Sequence, residues 1–292
     1  MAQLTNANAK PPRRNSLENR EYLKSKLRAA PWWLYAIIAI AIFTFVNILT
    51  NIPFQKAFLF IKAGLSVTIT TTLIAFVFAL LIGLLTGLGR ISDNTFFKNL
   101  STLYVELIRG IPMLVLIFFI AFVGIPGVVN GLKALGVWLV EIGVTDIGGW
   151  LSAIKNEVPM NTRAVIALST TYGAFLAEIF RAGIQSIGRG QMEAARSQGM
   201  SYWQAMRYII LPQAIRNVLP ALGNDFISML KDSSLVSVLA VRDITQIAKL
   251  YAGRTFQYQE SYITLAVLYL TMTILLSFLL KYIEKRIQKN ER

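Results

Sequence analysis

Apolar residues in this chain fall into long runs, and the polar residues gather between them. Trp32 to Thr50, Leu65 to Gly89, Gly110 to Pro126, Ala164 to Gly183, Val218 to Val241 and Tyr262 to Leu280 are the runs. Each holds roughly 17–25 residues, enough for a helix to cross about 30 Å of hydrocarbon. The pattern predicts an all-α integral membrane protein with six transmembrane helices. A soluble helical protein with a large apolar core would carry more polar outer faces on its helices, and six such runs argue against it.

Within this frame the remaining segments divide further. Residues 1–30 are polar and basic, include Pro11-Pro12-Arg13-Arg14, and read as a partly disordered arm. A cleaved signal peptide is not expected, because its basic leader would be too long and Trp32 to Thr50 fits a retained span. Trp32, Trp33 and Tyr35 suit an interfacial anchor. The second run holds Thr68, Thr70, Thr71 and Thr72, then Gly83, Gly87 and Gly89, small residues that predict close packing inside the bundle. Between the third and fourth runs, Leu132 to Ile142 is too short to span. Leu132, Leu135, Leu139 and Ile142 recur at helical spacing, which predicts an interfacial helix, with a re-entrant hairpin as the alternative.

Charge adds an orientation. Residues 1–31, 90–109, 187–216 and 281–292 together hold 19 Lys and Arg, whereas 51–63, 127–163 and 242–261 hold eight. Positive residues mark the cytoplasmic side, so both termini and the 187–216 loop are expected inside an inner (plasma) membrane. The net charge of +14 follows from the same bias. Attraction to anionic inner-leaflet lipid accounts for it, and no nucleic-acid motif accompanies it. The chain has no cysteine and no histidine, which removes disulfides, the commonest metal ligands and the commonest general base. No catalytic set is recognisable, so a membrane enzyme is disfavoured.

The 187–216 loop is the polar segment with the most internal order. Glu193-Ala194-Ala195 is followed after three residues by Gly199, then after nine by Ile209, with Leu211-Pro212 one residue further on. Gln191 to Gln198 predicts about two helical turns, with Glu193 in the first turn, where the helix dipole favours an acid. Ala194 and Ala195 permit close approach to a partner, and Gly199 can end the helix in a left-handed cap. Ser201 with Gln204 forms a capping box that starts a second short helix bearing Trp203, Met206 and Tyr208. That helix is expected to stop before Pro212. An inert amphipathic loop on the membrane surface is the bland alternative.

This pattern resembles the EAA loop of ABC importer permeases, the coupling helix that docks on a cytoplasmic ATPase. Glu193, Ala194, Ala195, Gly199, Ile209, Leu211 and Pro212 fill the signature positions. Tyr104-Val-Glu-Leu-Ile-Arg-Gly-Ile-Pro112, Ala177-Glu-Ile-Phe-Arg-Ala-Gly-Ile-Gln185 and Lys231-Asp-Ser-Ser-Leu-Val-Ser-Val238 look like the polar amino acid branch of that family. The resemblance covers about residues 60–290. It implies a five-helix permease core over 61–290, with 31–60 as an added N-terminal helix and loop. It also implies a cytoplasmic ABC ATPase dimer, a second permease subunit (identical or homologous) and an extracytoplasmic substrate-binding protein. ATP and Mg would be bound by the ATPase and not by this chain, which has no G-x-x-x-x-G-K-[ST] loop. The 127–163 connection departs from the compact family pattern.

Charges inside the apolar runs stand out because each costs roughly 2.5–3.5 kcal/mol at a helix centre. Glu178 lies in the fourth run and pairs by spacing with Arg181. Asp225, Lys231 and Asp232 lie in the fifth, where the first and last share a face and the adjacent pair do not. By resemblance, Thr170, Thr171, Tyr172 and Glu178 would line the substrate path, while an internal salt bridge or subunit contact explains Glu178 equally well. Arg109, Arg181, Asp225, Lys231 and Asp232 read as structural or gating charges. An ion-coupled secondary transporter of small polar solutes is the competing class, and its marks would be inverted repeats or broken helices.

Overall fold

The computed structural model describes residues 32–155 and 157–289, and among them every regular element is helical. The basic arm 1–30 lies outside the described residues. Helix α1 (Trp32–Thr50) leads through Asn51 into α2 (Ile52–Ile61), and a 3-10 turn, Lys62–Gly64, joins α2 to α3 (Leu65–Arg90). Next come α4 (Thr95–Gly110), α5 (Met113–Phe119), a π turn (Ile120–Gly124) and α6 (Ile125–Glu141). Helices α7 (Thr145–Ser152), α8 (Met160–Gln185), α9 (Arg189–Ser197) and α10 (Tyr202–Ala205) follow. A second π turn (Met206–Ile210) opens α11 (Leu211–Asp232), which tightens into a 3-10 segment (Ser233–Leu239) before α12 (Ile244–Thr255) and α13 (Tyr258–Lys289).

Among the described residues, four helices are long and apolar enough to cross a membrane: Ile52–Arg90, Met113–Glu141, Met160–Gln185 and Tyr258–Arg286. The expected count of six is not reproduced on that criterion. Tyr35–Thr50 is a shorter apolar helix, and the run from Val218 to Val241 divides into the end of α11, the 3-10 segment and a left-handed Ala240. The expected outer loop 51–63 is absorbed into a continuous 39-residue rod, Ile52–Arg90, because the Lys62–Gly64 turn tightens the helix without breaking it.

Leu132 to Ile142 is also corrected. It is not a separate helix but continues the long apolar helix Met113–Glu141, with Ile142 at its C-cap. Helix α7 then folds back against it, with Gly136 and Gly148 so close that a Cβ on Gly136 would stand 2.8 Å from the Gly148 carbonyl oxygen.

The core is centred on α3 and α8. Thr68, Thr71 and Thr72 are buried, as the small-residue pattern predicts. Ala75, Ala79, Ile117, Leu168, Leu176 and Met229 form the main apolar cluster, which draws α5 and α11 onto the central pair. A second cluster, built on Ile61, Ile244, Ala248 and Leu265, holds α2, α12 and α13 together.

The junction between these clusters is polar and fully used. Asp243 is buried and caps α12 by accepting from the Gln246 N–H at 2.8 Å. Thr68 Oγ1 accepts from the Ile244 N–H at 3.1 Å. Asp243→Ala is therefore expected to cost about 1–2 kcal/mol, read as a lower Tm in detergent, with Asp243→Asn recovering most of the loss because it keeps the acceptor.

Candidate functional site

The 187–216 loop folds into two helices about Gly199. Gly199 sits at φ +83°. Its N–H bonds to the Arg196 carbonyl at 3.0 Å, and the Met200 N–H reaches the Ala195 carbonyl at 3.2 Å. This pair of bonds is a Schellman cap. The capping box is also formed: Ser201 Oγ accepts from the Gln204 N–H at 3.3 Å, and Gln204 Oε1 accepts from the Ser201 N–H at 2.8 Å.

Two local expectations change. Helix α9 begins at Arg189, so Glu193 falls in the second turn and not the first. The second helix does not stop before Pro212. The Leu211 N–H bonds to the Met206 carbonyl in a π turn, and Pro212, which has no N–H, becomes an early residue of α11.

The loop presents a defined outer face. Glu193, Ala194 and Gly199 are exposed, while Ala195 is buried in the contact with the rest of the loop. Trp203 is 78% exposed and Tyr208 64%, with Arg207 stacked 5.7 Å from the Tyr208 ring. Ile209 and Pro212 are half-buried and Leu211 is exposed, whereas the unanticipated Ile210 and Ala205 are buried.

The charges within the bundle form one tight group and one loose one. Glu178 Oε1 meets Arg181 Nη2 at 2.5 Å, and Glu178 Oε2 meets Arg90 Nη1 at 2.5 Å. Arg90 also lies 3.5 Å from Glu106, so α3, α4 and α8 share one ion cluster. Arg90 escaped the sequence reading because a basic residue at the end of an apolar run looks like an ordinary positive flank. Arg109 forms no ion pair among the described residues and lies 5.9 Å from the Phe175 ring.

The residues expected along a path do not share one surface. Thr170 borders a groove of about 530 Å³ between α3 and α8, lined also by Thr70, Thr71, Asn161, Thr162 and Ser169. The Thr170 carbonyl accepts from the Tyr104 hydroxyl. Burial pushes the Tyr104 phenol far above its ordinary range, which keeps it a neutral donor. Thr171 is buried and its Oγ1 has no partner among the described residues. Tyr172 donates to Asp232 Oδ2 at 2.7 Å, tying α8 to the end of α11. Glu178 is held in the ion cluster farther along α8.

Helix α11 carries a feature the sequence reading missed. Asn217, Asn224 and Lys231, seven residues apart, are all exposed, and Ser228 lies half-buried on the same face. The opposite face, with Leu219, Leu222 and Phe226, meets Phe76 of α3 and Leu280 of α13. Among the described residues no ion pair involves Asp225 or Lys231. Asn217 donates to Ser186 Oγ at 2.9 Å, which joins this polar seam to the end of α8. An average over an apolar window hides such a seam, and the seven-residue spacing would have revealed it.

A helical membrane bundle with a polar seam through its apolar body and an exposed two-helix loop is the architecture of a solute permease. The profile described as the binding-protein-dependent transport system inner membrane component matches residues 79–289. The chain belongs to that family. It is 38% identical to the probable glutamine ABC transporter permease protein GlnM of Bacillus subtilis (strain 168), over 76% of this chain and 91% of that one. It is 32% identical to the glutamine transport system permease protein GlnP of Escherichia coli (strain K12), over 77% of this chain and 91% of the relative. A solved amino acid ABC transporter with histidines superposes at a TM-score of 0.64 with 38% identity, covering 82% of this chain and 97% of that one. The inward-facing MetNI methionine ABC transporter, at 18% identity and a TM-score of 0.57, shares the fold.

Proposed function

We propose that this chain is the membrane permease of an ABC importer that carries polar amino acids across the inner membrane. The observation that carries the reading is the locally capped α9–α10 loop, which exposes Glu193, Ala194, Gly199 and Trp203, while Ala195 is buried and Ile209, Leu211 and Pro212 lead from it into α11. A preformed helix pair with exposed aromatics suits docking in a cleft of a cytoplasmic ABC ATPase dimer, which binds the ATP and Mg. Relatives named for glutamine and other amino acids support the substrate class.

Loop charge supports an orientation with both termini and the coupling loop in the cytoplasm. The polar seam of α11 supports a second permease subunit, identical or homologous, because Asn224 and Lys231 would otherwise face lipid. The family's dependence on a binding protein supports an extracytoplasmic partner that delivers the amino acid. Thr170, Thr171, Tyr172 and Glu178 remain the proposed path residues on α8, and Arg109, Arg181, Asp225, Lys231 and Asp232 the proposed structural or gating charges. An ion-coupled secondary transporter is not favoured.

The test is reconstitution in proteoliposomes with the ATPase and binding protein, across a panel of amino acids. Uptake is expected only with ATP, and uptake that persists with no ATPase present overturns the proposal. Glu178→Gln is expected to lower stability by about 1.5–3 kcal/mol, since two guanidinium groups lose a shared carboxylate. A change in uptake affinity or maximal rate supports Glu178 in the path. If neither changes, the cluster only fastens helices.

A further inference from the structure

The membrane helix Met113–Glu141 is interrupted by chemistry that its own backbone cannot repair. In the π turn between α5 and α6 the Ile125 N–H bonds to the Ile120 carbonyl. Pro126 comes next and has no N–H. The Ala121 carbonyl therefore has no donor four residues on, where Ile125 is committed elsewhere, and none five residues on, where Pro126 stands. Ala121 is fully buried in the main core cluster, so water does not serve as the substitute partner that an exposed carbonyl would find.

Arg163 fills the vacancy. Its Nη1 donates to the Ala121 carbonyl at 2.8 Å, and its Nε donates to the Val158 carbonyl at 2.9 Å. Val158 precedes Pro159, the N-cap of α8, and Arg163 lies in the first turn of that helix with its own N–H on the Pro159 carbonyl at 3.0 Å. One side chain thus joins the interrupted helix, the linker and the start of α8. A planar guanidinium holds two donors at a fixed spacing, which an ammonium does not.

We infer that Arg163 is a positioning residue of the permease. It supplies the donor that Pro126 removes and clasps the α5/α6 interruption to the start of α8, so that the two shift together. The π turn makes the site pliant, Pro126 makes it permanent, and Arg163 decides which neighbouring element it follows. Thr170 and Tyr172 lie on the same helix, about two turns farther on. A shift in the clasp is therefore carried along α8 to them. Only the transport readout of this inference rests on the amino acid importer reading.

The experiment is a double-mutant cycle on the complete transporter. Arg163→Gln is expected to speed amide hydrogen exchange in peptides covering residues 117–125 by about tenfold, and to lower amino acid uptake per ATP hydrolysed. Pro126→Ala restores a backbone N–H, so Arg163→Gln in that background is expected to change exchange by less than about threefold. Arg163→Lys, with a single point donor, is expected to fall between the wild type and Arg163→Gln. Equal effects of Arg163→Gln in both backgrounds overturn the clasp. If Arg163→Gln alone does not accumulate as folded protein, recovery of its yield by Pro126→Ala supports the clasp, and no recovery overturns it. A wild-type complex that takes up no amino acid defeats the functional reading but leaves the exchange result standing.

Discussion

Gly199→Glu is expected to abolish ATP-driven uptake while the membrane bundle stays folded. Gly199 holds φ +83°, a region that costs an L-residue roughly 1–2 kcal/mol. A Cβ there meets nothing within 4 Å, so the strain is confined to the loop and the core is undisturbed. What changes is the Schellman cap, and with it the angle at which α9 meets α10. A carboxylate is also added to an exposed face that already carries Glu193. Uptake is expected to fall by at least about tenfold, equivalent to about 1.4 kcal/mol of lost coupling, and the ATPase is expected not to copurify. Gly199→Ala bears the strain without the charge and is expected to lie between. Wild-type transport by Gly199→Glu would remove the loop from the coupling route.

Gly83→Val is expected to prevent the fold itself. A Cβ at Gly83 would stand 2.7 Å from the Leu176 Cβ, 3.1 Å from the Ala177 nitrogen and 3.1 Å from the Gly173 carbonyl oxygen. Two of these atoms are backbone, so no rotamer change relieves the clash. Helices α3 and α8 are also the central pair and cannot separate without opening the main cluster. Overpacking costs about 1–3 kcal/mol when neighbours can yield, and here they cannot. Gly83→Ala already brings the clashing Cβ, so neither Gly83→Ala nor Gly83→Val is expected to accumulate in the membrane. Gly110→Ala, at a position where a Cβ meets nothing within 4 Å, is the control and is expected to fold normally.

These contrasts show how much of the molecule was legible in advance. The apolar runs and the capped loop could be read because each depends on residues adjacent in sequence: Ser201 with Gln204, Gly199 after a helix, small residues within the second run. The ion cluster could not be read in full, since Arg90 and Glu178 are 88 positions apart. The failed expectations have a common cause as well. The stop expected before Pro212 and the outer loop expected at 51–63 are both crossed by helix, through a π turn and a 3-10 turn. Helix Met113–Glu141 likewise runs past the length a bilayer demands, which no hydropathy threshold marks. The seam on α11 was hidden because mean hydropathy has no direction, whereas exposure does.

The π turn at Met206–Ile210 also fixes an angle. Each residue of an α-helix advances about 100° around its axis. Removing one residue from this turn would leave the coupling loop as it is but rotate all of α11 by about 100°, carrying Asn217, Asn224 and Lys231 off their open side and toward neighbouring helices. The turn is thus an angular spacer: it sets the phase between the surface that meets a soluble partner and the polar seam inside the membrane, and insertions or deletions within it should be far less tolerated than substitutions.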